Sequence, residues 1–245
     1  MAEALPRDEA HLWYAEPASV TPALAGRYLE LLSPGERERH ARFAVPDPAL
    51  EFLLGRALLR SILGGYLGVE PGRVGLRLGA RGKPALDVPA PELDFSLSHS
   101  RGLVACLVAS GCDAGLDVED TERAVEASSL AERFFDASES EDIARLPEAA
   151  RSQRFFEYWT LKEACLKALG AGLAEPLDRF RFCFGAKGEP ILLPGRDAVD
   201  EWHVSQLRLE PRFLLATALR SRVAEPARRR IVLRRILPLD GVLDL

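Results

Sequence analysis

Two stretches about 106 residues apart carry nearly the same turn, GARGKPAL (79–86) and GAKGEPIL (185–192), each following an apolar run. The likeness extends in both directions. Upstream, EFLLGRALLRSILG (51–64) lines up with EYWTLKEACLKALG (157–170) at the same offset. Downstream, LSH (97–99) followed by LVACLVA resembles VSQ (204–206) followed by FLLATAL, with the offset slipping slightly. One repeat of this length is not a solenoid, whose units are short and many. It is a single supersecondary unit made twice. The expected architecture is therefore two similar lobes related by a pseudo-twofold axis, residues 1–112 and 113–245. The basic run RSRVAEPARRRIVLRR (220–235) is counted as an extension of the second lobe.

The unit itself mixes helices and strands. Thr21-Pro22, Ser33-Pro34-Gly35-Glu36, Asp47-Pro48 and Ser138-Glu139-Ser140-Glu141 are helix starts with capping residues or an early proline. Glycines 64, 65, 68 and 170 mark helix ends. Strands are predicted over 11–15, 74–78, 93–97, 103–109, 115–119, 180–184, 201–207 and 212–219. Hairpin-like connections dominate, which favours the α+β class, each lobe a small antiparallel sheet packed with a long helix.

Composition narrows the function classes. A net charge of −5 argues against a nucleic-acid coat, leaving the C-terminal basic run as a solvated edge or an anionic-partner surface. The four cysteines, 106, 112, 165 and 183, show neither a CxxC pair nor zinc-type spacing, and no disulfide framework is expected. The N-terminal MAEALPRDEAHLW has charges where a signal peptide needs an apolar core, and LVACLVA is far too short to span a membrane. A cytoplasmic, soluble, membrane-free protein is expected.

The repeat also separates packing residues from the rest. Apolar positions recur in both copies, but Glu163 lies opposite Ala57 and Lys167 opposite Ser61. A residue needed only for the fold tends to occur in both. Trp159, Glu163 and Lys167 are spaced four apart and share one helix face. Taken alone, a Glu–Lys pair at that spacing is most often a solvent pair contributing a few tenths of a kcal/mol. In GLDVED (115–120), strand alternation puts Asp117 and Glu119 on one side while Leu116 and Val118 face the core. Two acids so placed repel each other and are best tolerated beside a cation. With Glu163 they would make an oxygen site suited to Mg²⁺; the plain alternative is an exposed strand end. In SLSHSRG (96–102), His99 between two serines, with Arg101, suits a phosphate ester, though a lone histidine is usually structural. GARGKP is by default a hairpin turn whose Arg81 and Lys83 can also reach a polyphosphate.

Taken in order, RGKP…SLSHS…GLDVE…RFF…WTLKEACLK resembles the surfactin-type 4′-phosphopantetheinyl transferases over about residues 33–184. Members of that family look like two fused copies of a smaller subunit, with the site in the cleft between them. The resemblance implies Asp117, Glu119 and Glu163 as ligands of Mg²⁺, with Mn²⁺ as a substitute. It implies Lys167 and His99 on the phosphates of coenzyme A (CoA), with Ser98 in the CoA pocket. Arg81, Gly82 and Lys83 correspond to the turn at the nucleotide end. In SPGERERHARF (33–43), Glu36 stands where members often carry a base, while Arg39 keeps one a turn later. The segment RIVLRRILPLDGVLDL lies outside the resemblance.

The implied reaction moves 4′-phosphopantetheine from CoA to a serine of an apo acyl, peptidyl or aryl carrier protein and releases 3′,5′-ADP. Glu163 is the expected base and Lys167 the stabiliser of the leaving group. Fused lobes imply a monomer. One alternative uses the same acids, a pyrophosphatase-like Mg²⁺ enzyme acting on a nucleotide diphosphate; a second is a non-catalytic module that binds CoA or a carrier, against which the intact Asp117, Glu119, Glu163 and Lys167 argue.

Overall fold

The computed structural model describes residues 5–79, 82–88, 90, 92–170, 175–195, 201–223 and 229–243. The chain divides into two compact units, Met1–Leu78 with Pro84–Ser110 and Arg229–Leu245, and Gly79–Lys83 with Gly111–Arg228.

The first unit holds β1 (Glu9–Ala15), α1 (Pro22–Leu31), α2 (Pro34–Ala41), α3 (Pro46–Leu67), β2 (Leu76–Leu78), β3 (Pro84–Leu86), β4 (Leu93–Ser100) and β5 (Leu103–Ser110). Val104, Cys106 and Val108 of β5 pack in one cluster with Leu54, Leu58 and Ile62 of α3 and Leu24 and Tyr28 of α1. The second unit holds β6 (Cys112–Asp120), α4 (Ala127–Phe134), α5 (Ala137–Arg145), α6 (Glu148–Ala168), β7 (Phe182–Phe184), β8 (Pro190–Leu192), β9 (Trp202–Leu209) and β10 (Phe213–Ser221). Its antiparallel sheet has the order β6-β10-β9. Phe155, Leu161, Ala164 and Cys165 of α6 pack with Leu214, Ala216 and Ala218 of β10.

The duplication is plain in the element order. Capped helix, long helix, short hairpin and antiparallel strand pair run α2-α3-β2-β3-β4-β5 and then α5-α6-β7-β8-β9-β10. The final segment departs from the expected division. β11 (Arg230–Leu237) joins the first unit, pairing in parallel with β1 from Glu9↔Arg230 to Tyr14↔Arg235, and β12 (Gly241–Leu243) follows it. The first sheet is thus mixed, in the order β12-β11-β1-β5-β4, rather than purely antiparallel. Partners in and next to β1 explain the placement of the basic run. Arg230 pairs with Glu9, Arg235 donates to Glu16 at 2.8 Å, and Arg234 lies over the Trp13 ring.

The same ion-pair device closes both helix pairs. Glu36 completes a capping box with Ser33 and accepts from Arg60 at 2.8 Å. Glu139 completes one with Asp136 and accepts from Lys162 at 2.6 Å. The cap of α5 is therefore Asp136, not Ser138, whose hydroxyl instead donates to Asp136. The clamp also corrects the register of the repeat. Gly68 and Gly170 both end their long helices with positive φ, so the helical offset is one turn less than the apolar pattern suggests. Glu163 lies opposite Ser61 and Lys167 opposite Gly65. The charged pair remains peculiar to the second copy.

Lys162 is fully buried and donates also to the carbonyls of Leu177 (3.2 Å) and Phe180 (2.5 Å), which engages all three ammonium protons. It is a structural base within an otherwise apolar helix face. Replacing Lys162 by methionine leaves Glu139 charged in a dry interior and is expected to cost about 3–5 kcal/mol. The double variant E139Q/K162M, which removes the charge but keeps an acceptor for the Phe182 N–H, recovers part of that loss, as read by urea denaturation.

Candidate active site

Position 115 sets the geometry of the second unit. A Cβ built on Gly115 would lie 2.5 Å from Ala168 N and inside the radius of the Ala164 carbonyl. Only glycine lets α6 cross β6 so closely, and Ala164, Ala168, Ala216 and Ala218 keep the same contact thin. The helix consequently lies on the Gly115–Asp117 side of the strand. This differs from the expectation that only Leu116 and Val118 turn inward: those two are buried on the opposite face, and Asp117 is buried as well.

Along α6, Trp159, Glu163 and Lys167 are half-buried while their neighbours are buried, so the four-residue spacing does place them on one face. Lys167 Nζ lies 2.6 Å from Asp117 Oδ1. Glu119 makes a 3.3 Å pair with Arg123. The three acids remain within electrostatic range of one another. Burial, and then the charge of Asp117, raise the carboxyl of Glu119 to about 7, with Arg123 and Lys167 opposing. Burial and Asp117 also raise Glu163, against Lys167. The expected convergence of Asp117, Glu119 and Glu163 on a single ion is not the arrangement seen: among the described residues no three His, Cys, Asp or Glu side chains are gathered ready to hold a metal. Cations of the chain itself, Lys167 and Arg123, lie against two of the acids instead. The donor chemistry nevertheless fits a hard divalent cation, because three carboxylates lie near one another and burial, then the charge of Asp117, raises the proton affinity of Glu119 and Glu163.

Lys83 belongs to this unit and donates to the Ala114 carbonyl at 2.9 Å, one residue before Gly115. Gly82 has φ +86°, which glycine takes without strain. Arg81 lies outside the described residues.

In the first unit Ser98 is buried and His99 exposed on β4. His99 Nδ1 is 3.6 Å from Glu51 Oε2. Arg39 is exposed, with its guanidinium 5.1 Å from the centre of the Phe52 ring. Arg56 lies over the same ring at 5.2 Å. Both line a cavity of about 310 Å³ together with Glu36 and Arg77. Glu36 is committed to Arg60 and Arg56. Sequence reasoning named neither Gly115 nor Glu51 as functional. The glycine that opens GLDVED was a usable signal for the first; nothing in the sequence pointed to the second.

Two outcomes check this geometry. Gly115→Ala must push α6 off β6, which is expected to cost at least about 1–3 kcal/mol of stability, measured by thermal unfolding. The raised carboxyl of Glu119 means that the folded chain keeps a proton the unfolded chain releases. Stability from this group is therefore full below about pH 4.5 and is lost as pH rises through about 7. In EDTA, Glu119→Gln flattens the fall of Tm across that window; an unchanged slope contradicts the crowding.

Two family models match consecutive stretches of the chain: the 4′-phosphopantetheinyl transferase superfamily over residues 113–218, and a 4′-phosphopantetheinyl transferase N-terminal region over residues 20–111. The 4′-phosphopantetheinyl transferase HetI of Nostoc sp. is 44% identical over 69% of this chain and 71% of its own. The 4′-phosphopantetheinyl transferase Sfp of Bacillus subtilis is 28% identical over 78% and 83%. A phosphopantetheinyl transferase of Thraustochytrium sp. is 30% identical over 70% and 65%. The order of motifs, the duplicated element order and these matches agree: the chain is an enzyme of the surfactin-type 4′-phosphopantetheinyl transferase family.

Proposed function

We propose that the enzyme transfers 4′-phosphopantetheine from CoA to the serine hydroxyl of an apo carrier protein, with Mg²⁺ dependence and release of 3′,5′-ADP. The observation that carries the reading is the cluster on α6 and β6, where crowded acids and one lysine meet on a single helix–strand contact. Its chemistry suits a pyrophosphate ester, which needs charge neutralisation and positioning more than covalent help.

In this reading the serine oxygen forms a bond to the β-phosphorus, and the bond from that phosphorus to the bridging oxygen of the pyrophosphate breaks. Glu163 accepts the serine proton; its raised proton affinity makes it a better base at neutral pH than an ordinary carboxylate. Lys167 shifts from Asp117 to the phosphate and stabilises the charge left on 3′,5′-ADP. Asp117, Glu119 and Glu163 are the residues that would hold Mg²⁺, which supplies charge neutralisation at the pyrophosphate oxygens. His99, Ser98, Arg39 and the Gly82-Lys83 turn, with Arg81, bind CoA. The reading takes the protein as a cytoplasmic monomer; among the described residues no helix is long and apolar enough to cross a membrane.

Incubation with CoA, Mg²⁺ and an apo carrier protein is expected to add the mass of phosphopantetheine to the carrier, by intact-protein mass spectrometry. Hydrolysis of CoA with no gain on any of a panel of acyl, peptidyl and aryl carriers contradicts the reading. Glu163→Ala and Asp117→Ala are each expected to abolish transfer while the chain stays folded by circular dichroism. His99→Ala mainly raises the KM for CoA.

A further inference from the structure

Glu51 is a carboxylate that the mechanism leaves without a task. It sits in the second turn of α3 with 8% of its surface exposed, and burying a carboxylate is costly unless its oxygens are engaged. Both are engaged on the β4–β5 hairpin. Oε1 accepts from the Gly102 N–H at 3.1 Å, and Oε2 faces His99 Nδ1 at 3.6 Å. Gly102 has φ +96°, a conformation that glycine supplies readily, so the turn can present its N–H to the helix. The His99 side chain is 56% exposed. One edge of its ring is thus anchored against a buried anion while the rest is open to solvent.

We propose that Glu51 is a positioning residue for CoA: its carboxylate holds the Nδ1 edge of His99 against α3, so that the Nε2 edge is presented to a phosphate ester. The partner of one ring nitrogen fixes the role of the other. The inference rests on the transferase reading, which gives His99 to CoA, and adds a residue that the motif pattern does not contain.

Glu51→Gln keeps the size of the side chain and the acceptor for Gly102 but removes the charge. Steady-state transfer to an apo carrier is measured for wild type, E51Q, H99A and the double variant. E51Q is expected to raise the KM for CoA by roughly tenfold, the scale on which partners of a functional histidine act, with kcat unchanged. In the H99A background the same substitution changes nothing further. Additive effects of the two substitutions, or a fall in kcat alone, overturn the inference and reduce Glu51 to a support of the hairpin. If E51Q unfolds, E51D, which keeps the charge at shorter reach, goes through the same cycle under the same criterion. Absence of transfer by the wild-type chain overturns the transferase reading, and this inference falls with it.

Discussion

The second unit depends on one close approach, that of the α6 backbone to β6 at Gly115. A side chain there would overlap the helix backbone, and a helix held further out could not bring Lys167 to 2.6 Å from Asp117. Four alanines extend the thin contact. The chemistry that results is an electrostatic one. Acids lie near one another in a poorly hydrated place, where Glu119 and Glu163 hold protons more tightly and the group gains most from a cation.

The two copies of the structural unit show what duplication conserves and what it releases. Each keeps a capping-box glutamate clamped by a base from the long helix, Arg60 in one and Lys162 in the other. Breaking either clamp strands a buried charge, and both copies in this chain keep an acid and a base there. Away from the clamp the copies diverge. Gly65 and Ser61 in the first stand opposite Lys167 and Glu163 in the second. The tip of one hairpin carries Lys83, which reaches Ala114, where the other carries Glu189, which folds back onto its own turn at Lys187. In the first copy Glu36 also draws in Arg56 and becomes a brace between two arginines.

Several features were legible in the sequence because they are local. Capping boxes, proline starts and terminal glycines act within a few residues, and the 159-163-167 spacing follows from helix geometry alone. Other features were not local and were misread. The helix register slipped by one turn because an apolar stripe matches itself after four residues, and only the clamp and the final glycines fix the phase. The basic run near the C-terminus contains a strand, but its partner β1 lies more than two hundred residues earlier, and two of its arginines, Arg230 and Arg235, pair with Glu9 and Glu16. The alternation of GLDVED was read correctly, yet not the side on which the helix lies, since β6 is buried on both faces.

The sequence by itself determined the duplicated α+β plan, the helix face bearing Glu163 and Lys167, and the family, because periodicity and motif order are properties of the chain. Only the tertiary structure decided which charges meet. It set Lys167 against Asp117 and Glu51 against His99. Such pairings depend on distances of a few ångströms between segments far apart along the chain, and Coulomb interactions are settled by those distances and by burial rather than by residue order.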